Sequence, residues 1–370
     1  MPINYDGVQP SRLGSNQLGA NEDLFLKVFS GEVLTVFEAN NAMLPLTRTR
    51  TITSGKTAQF PVTGVAAAKY HTPGESLFTQ EFDDASDTTG TNKYLSRVAH
   101  SEKTIAIDSV LTASAFLADI DEAKNHYEVR SIYSTEIGRQ LAYTADKNLI
   151  RTVIAGARST TDRFGTTTAD GVSTYGGAVI NMGTTDGGGN EVITATKVAD
   201  GAAATGATLI SGLFLAAELM DSKNVPDQGR YCLLPPAEYY KLVNENKDAI
   251  NRDYNDDGNG SVARGEVMSV AGIRIVKSNH VPNSNEASTI HDDAGINNNP
   301  FGGSAGYSAN FSETKGVIFQ TEGVGTVKLL DLAMESEYFM DRLGTLLMAK
   351  YAMGHGILRE EACMELIVTA

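Results

Sequence analysis

The segment Asp253-Tyr-Asn-Asp-Asp-Gly258 sets oxygen-bearing side chains at alternate positions with a glycine sixth, which is how a calcium-binding loop begins. Such a loop closes on a bidentate Glu at the twelfth position. Here that position is Arg264, a cation that opposes calcium, and Glu266 stands two residues too late. The stretch therefore reads as a polar loop tip, where Asp, Asn and Gly serve turn geometry. The histidines are His71, His100, His126, His280, His291 and His355; no two stand at ligand spacing and no HExxH occurs. His126, beside Tyr127, reads as a packing or hydrogen-bonding group. His355, between Gly354 and Gly356, reads as a tight backbone corner. Cys232 and Cys363 are too few for a disulfide scaffold and too far apart for a metal motif, so they read as small buried apolar groups in a reducing compartment. There is no G-x-S-x-G, P-loop or dinucleotide fingerprint; Gly323-Val-Gly-Thr326 lacks a third glycine and a following Lys-Ser or Lys-Thr. Lys56 and Lys69 read as surface charges. No catalytic, cofactor-binding or metal-ligating set is expected, and the chain does not read as an enzyme.

With no chemistry to position, the elements themselves carry the information. The 370 residues are 41% hydrophobic and 20% charged, which is a globular composition long enough for a sizeable core. The net charge of −15 argues against a tight nucleic-acid binder, which needs a basic face. The first twenty residues lack a basic n-region and an apolar h-region, and no apolar run approaches the length of a span, so neither a signal peptide nor a membrane helix is expected.

Residues 1–46 read as an arm. Leu24, Phe25, Val28, Phe29, Val33, Val36 and Phe37 make one helical stripe with little core of their own. Residues 47–104 read as a long two-stranded arm with a polar tip at Asp83–Asn92, and such an isolated hairpin should be braced by another subunit. Over residues 119–156, Ile137, Leu141, Ala145, Leu149 and Val153 fall at i+4 spacing, with Asp119 or Asp121 to cap the start and Gly156 to end the helix in the left-handed conformation. From Ser131 to Ala155 such a helix is roughly 40 Å long, and its apolar stripe wants a sheet beneath it. A second helix carries Leu209, Leu213, Ala217 and Met220 and ends before Pro226. Tyr231-Cys-Leu-Leu234 is a buried strand, Pro235-Pro236 leads into a helix at Ala237–Asn246, and Val270–Lys277 is a further strand; together they suggest a compact α/β unit. Beyond residue 316 the chain is mostly extended, with strands at Leu346–Met353 and Cys363–Val368 joined through Gly354-His-Gly356.

Several of these stretches resemble the major capsid proteins of T7-like tailed bacteriophages. Leu24-Phe-Leu-Lys-Val-Phe29 and Gly31-Glu-Val-Leu-Thr35 are similar to that family's N-terminal arm. Ser54-Gly-Lys-Thr-Ala-Gln-Phe-Pro-Val62 and Pro73-Gly-Glu75 are similar to its extended loop. Ile120-Asp-Glu-Ala-Lys-Asn-His-Tyr-Glu-Val-Arg130 resembles the approach to its spine helix. Gly325-Thr-Val-Lys-Leu-Leu-Asp-Leu332 and Lys350-Tyr-Ala-Met-Gly-His-Gly-Ile-Leu-Arg359 resemble its C-terminal third.

The resemblance implies an α+β, HK97-type phage capsid fold. Its expected parts are an N-terminal arm (1–46), an extended β-hairpin loop (47–104), a peripheral domain with the spine helix (105–160), an α/β axial domain (161–345) and closing peripheral strands (346–370). It also implies hexamers and pentamers on an icosahedral shell around double-stranded DNA, a scaffolding protein, a portal protein, expansion on maturation, and a virion location after assembly in the host bacterial cytoplasm; it leaves open whether decoration proteins bind the outer surface. An acidic wall suits such a container, because packaged phosphates then find no sticking points. Residues 84–96, 165–206 and 283–310 depart from the family's pattern, and Glu322 stands where the family often shows basic character. The contrasting reading, an extracellular calcium-binding structural or adhesive protein, has the acidic balance and the Asp-Asn-Gly loops behind it.

Overall fold

Ile137, Leu141, Leu149 and Val153 are buried along helix α1 (Arg130–Ala157) of the computed structural model, so the i+4 spacing is realised as one apolar stripe. Its 28 residues extend about 42 Å. The structure describes residues 37, 41–64, 68–78, 80–81, 91–92, 100–118, 130–159, 176–182, 205–245, 260–261, 266–267, 269–286, 300–301 and 306–368. The expected arm helix before Phe37, the caps Asp119 and Asp121, His126, His291, the Asp253–Gly258 loop and the greater part of the Asp83–Asn92 tip lie outside the described residues.

The described strands are β1 (Arg48–Thr51), β2 (Thr57–Thr63), β3 (Gln80–Glu81), β4 (Thr91–Asn92), β5 (His100–Ala106), β6 (Leu111–Ala118), β7 (Ala178–Asn181), β8 (Arg230–Leu234), β9 (Gly260–Ser261), β10 (Glu266–Val267), β11 (Ser269–Val270), β12 (Ile273–Lys277), β13 (Thr314–Gln320), β14 (Val324–Phe339), β15 (Gly344–Ile357) and β16 (Cys363–Ile367). Helix α2 spans Gly206–Ser222 and α3 spans Pro236–Glu245. Two main sheets result. One has the order β1-β14-β15-β6, with β1 parallel to β14 and the other pairs antiparallel. The other has the order β11-β12-β8-β13-β16-β7 and is mixed.

Helix α1 belongs to the cores of both sheets. Its first half, with Ile137, Leu141 and Ala145, packs on Leu117, Leu347, Ala349 and Tyr351 of the four-stranded sheet. Its second half, with Leu149, Ile150, Val153 and Ile154, packs on Leu233, Val317, Phe319 and Cys363 of the six-stranded sheet. The other face of that sheet, with Cys232, Leu234, Ile318, Met364 and Leu366, is covered by Leu209, Leu213 and Met220 of α2 and by Tyr239 and Leu242 of α3. A sheet covered on both faces explains why Tyr231–Leu234 reads as a continuous apolar run.

Helix α2 begins at a capping box between Thr205 and Thr208. It ends with Asn224 at φ 56°, and the Val225 N–H donates to the Met220 carbonyl, closing the last turn ahead of Pro226.

Four local expectations are corrected. Gly156 does not turn left-handed; it lies inside α1, and a Cβ there would stand 3.0 Å from Cys363 Sγ, so its lack of a side chain lets β16 approach the helix. Val270–Lys277 is not one strand: Ala271 (φ 51°) and Gly272 (φ 75°) make a two-residue hairpin turn between β11 and β12. The strands expected together at the C-terminus part company, since β15 joins the four-stranded sheet and β16 the six-stranded one. The Gly354-His355-Gly356 step is not a corner. All three residues lie within β15, paired with Val327, Thr326 and Gly325 of β14.

The reason for the glycines is a crossing. A Cβ on Gly354 would stand 2.0 Å from the Ala106 carbonyl oxygen, and one on Gly356 would stand 2.7 Å from Ile105. The end of β5 thus lies across β14 and β15, where only bare backbone leaves room. This seats the β2–β5 hairpin on its own subunit. Ala58, Phe60 and Val62 alternate inward along β2, and Ala58, Phe60, Ile105 and Ile107 form a core with Val327, Ala352 and Leu358. The base of the hairpin, expected to need a neighbour, is braced within the chain.

Candidate assembly surface

Among the described residues, several titratable groups are used inside the subunit. Both cysteines are buried and free, and burial pushes their thiols up, so they are held as neutral thiols. His355 Nδ1 lies 3.0 Å from Thr326 Oγ1 across the β14–β15 pair, and burial lowers its pKa to about 4, leaving a neutral imidazole at physiological pH. Glu365 has no exposed surface; it accepts from Arg158 Nε at 2.7 Å, from Arg158 Nη2 at 2.8 Å and from Thr314 Oγ1 at 2.6 Å. This bidentate pair ties the end of α1 to β16. Arg151 of α1 similarly grips Glu286, with Nη2 to Oε2 at 2.8 Å. Lys103 of β5 meets Glu360 at 2.6 Å, which pins the root of the hairpin to the turn before β16. Among the described residues no group of three or more His, Cys, Asp or Glu could hold a metal ion, and no helix is long and apolar enough to cross a membrane.

The surface carries a different kind of site. Beyond β2, Pro73 and Gly74 (φ 91°) occupy the centre of a turn in which the Glu75 N–H donates to the Thr72 carbonyl. His71 Nε2 lies 2.7 Å from the Glu75 carbonyl oxygen of the same turn. On either side of it Tyr70 is fully exposed and Phe78 is 73% exposed. At the far end of the β14–β15 hairpin stand Tyr338, Met340 (82% exposed) and Leu343 (65% exposed). On α2, Phe214 is exposed beside a shallow depression lined by Leu215, Glu218, Asp221 and Ala271. These large apolar side chains thus stand in water at a turn, at a hairpin tip and on a helix face of the lone subunit.

Sequence reasoning missed the buried carboxylates Asp146 and Glu365 and the exposed apolar residues Tyr338, Met340 and Leu343 at the hairpin tip. The first two had a legible signal, because an acid inside an apolar stripe or strand must be paired. The tip had none, because an exposed Leu reads like a buried one.

A long helix shared by two sheets, a hairpin seated across one of them, and apolar side chains exposed at turn and hairpin tips fit a shell-forming subunit of the HK97-type capsid fold. The asymmetric unit of the bacteriophage PhiM1 mature capsid shares this fold at 18% identity and a TM-score of 0.63, over 100% of this chain and 98% of that one. The capsid structure of the cyanophage P-SCSP1u is similar at 38% identity and a TM-score of 0.67, over 98% of this chain and 99% of that one. The family described as Gp10A-like major capsid protein matches residues 59–367. The major capsid protein of Escherichia phage T7 is 31% identical over 367 residues, 95% of this chain and 97% of that protein. This chain belongs to the Gp10A-like major capsid protein family, the structural proteins of phage head shells. That membership replaces the extracellular calcium-binding reading.

Proposed function

We propose that copies of this chain close into hexamers and pentamers of an icosahedral head around double-stranded DNA, without catalysis by the chain itself. A scaffolding protein templates the first shell, a portal protein occupies one vertex, decoration proteins dock outside, and the shell expands as DNA enters. The observation that carries this reading is the exposure of Tyr70, Phe78, Tyr338, Met340 and Leu343 at the tips of otherwise well-packed elements. Tips of different elements exposed on one subunit suit heterologous contacts, which close into rings when the rotation between copies permits.

The division into arm (1–46), extended loop (47–104), peripheral and axial domains is kept with one change. The strand pairing supports placing β14 with β15 in the peripheral unit and β16 with the axial sheet, rather than a boundary at residue 345.

The full-length chain, expressed with and without its phage's scaffolding protein and imaged by negative-stain electron microscopy, tests this reading. Closed shells of uniform diameter are expected with scaffold, and irregular shells, tubes or open sheets without it. A monomer under both conditions overturns it.

A further inference from the structure

Asp146 lies on α1 within the buried stripe and has no exposed surface. The N–H groups of two successive residues, Ala42 and Met43, donate to its two oxygens, Ala42 to Oδ2 and Met43 to Oδ1, each at 3.0 Å. The next N–H, that of Leu44, donates to Asn41 Oδ1 at 2.9 Å. The backbone leading into the short 3-10 turn Leu44–Leu46 is thus held by side-chain oxygens, two of them from a helix about a hundred residues away in sequence. On the other side of the carboxylate, His280 Nδ1 stands 3.3 Å from Oδ2, without the alignment of a hydrogen bond, and its ring packs 4.4 Å from that of Tyr143. A second hold lies just upstream. Phe37 is buried against Tyr351, with ring centroids 5.9 Å apart, and the Asn41 N–H donates to its carbonyl.

A buried carboxylate is costly unless its oxygens are satisfied. Here the donors are backbone groups of the segment that joins the N-terminal arm to the body. A carboxylate accepts on both oxygens, whereas an amide accepts on one, so the two-donor geometry selects Asp at this position.

We propose that Asp146 is a positioning residue for assembly: its carboxylate clamps residues 42 and 43 and so fixes the direction in which the N-terminal arm leaves the subunit. The inference rests on the reading that copies of this chain form shells with arms that reach their neighbours.

Hydrogen exchange and shell imaging test it together. In the wild-type protein the amides of Ala42 and Met43 are expected to exchange as slowly as those in the middle of α1. In Asp146→Asn one donor loses its acceptor, so exchange there should be about tenfold faster or more, while amides of the β14–β15 pair keep their wild-type rates. Shells of Asp146→Asn assembled with scaffold should vary in diameter or fail to close. Ala42→Pro, which deletes one donor from the exposed side and leaves the helix untouched, should reproduce the shell defect if Asp146→Asn does not accumulate as folded protein. Wild-type amides at 42 and 43 that exchange freely would overturn the clamp. Uniform shells from a variant whose arm amides are loosened would overturn its role in assembly. If the wild-type chain itself forms no shells, the functional reading fails, whereas the exchange data still decide the clamp.

Discussion

Asp108 follows β5, and the hydroxyl of Tyr307 donates to its Oδ2 at 2.5 Å. Its Oδ1 is buried without a hydrogen-bond partner, so the carboxyl sits inward although the residue as a whole is partly exposed. Burial raises its pKa from 3.8 to about 7, a shift that the Tyr307 bond opposes. The buried His355 moves the other way, to about 4. Their signs differ. Between pH 4 and 7 the folded Asp108 holds a proton that the unfolded chain has lost, so its contribution falls as pH rises and is flat beyond about 7. Between pH 4 and about 6.5 the unfolded chain protonates His355 and the folded one does not, so that contribution rises with pH. The two offset each other in mildly acidic buffer, and Asp108 alone acts just above it. Asp108→Asn keeps an acceptor for Tyr307 and removes the ionisation. Urea unfolding of the unassembled subunit should show the variant gaining on the wild type as pH goes from 5 to 8, by a margin on the order of a few kcal/mol. Parallel pH profiles for the two proteins would contradict this assignment.

At the scale of elements, the crossing of β5 over β14 and β15 decides how the extended hairpin is rooted. Gly354→Ala would push a methyl group to 2.0 Å from the backbone of Ala106, and no side chain is available there to move aside. The substitution should destabilise the subunit by about 3 kcal/mol or more, read as a lower urea midpoint, and an unchanged midpoint would disprove the crossing. This contact also shows where the sequence was legible and where it was not. The stripe of α1 could be read because its signal is local and repeats over 28 residues. The covered sheet could be read in Tyr231–Leu234 because a two-sided strand leaves a continuous apolar run. Gly354 and Gly356 could not be placed, because a glycine serves a tight turn or a close approach equally well, and the partner, Ile105–Ile107, lies some 250 residues away in sequence. The Ala271–Gly272 turn was hidden because Ala rarely takes a positive φ. As for the assembly surface, its residues could not be singled out from the sequence. Which apolar residues face outward depends on register and packing that no local pattern encodes.

At the scale of the whole molecule, the subunit joins a well-packed interior to exposed apolar side chains at its turns and hairpin tips. Arg158–Glu365, Arg151–Glu286 and Lys103–Glu360 tie helix, sheets and hairpin root into one body. Tyr70 and Phe78 on the hairpin side, and Tyr338, Met340 and Leu343 at the end of the long strand pair, remain in water in the lone subunit. Because these exposed side chains take no part in the packed interior, substitutions there should matter little for the stability of one subunit and, on the proposed function, greatly for the shell. The measurement that tests this most directly is a cryo-electron microscopy reconstruction of shells formed by the wild-type chain. It should show these five side chains buried against neighbouring copies, with α1 and both sheets arranged as in the single subunit. Shells in which they stay exposed to solvent, with contacts made through other surfaces, would contradict it.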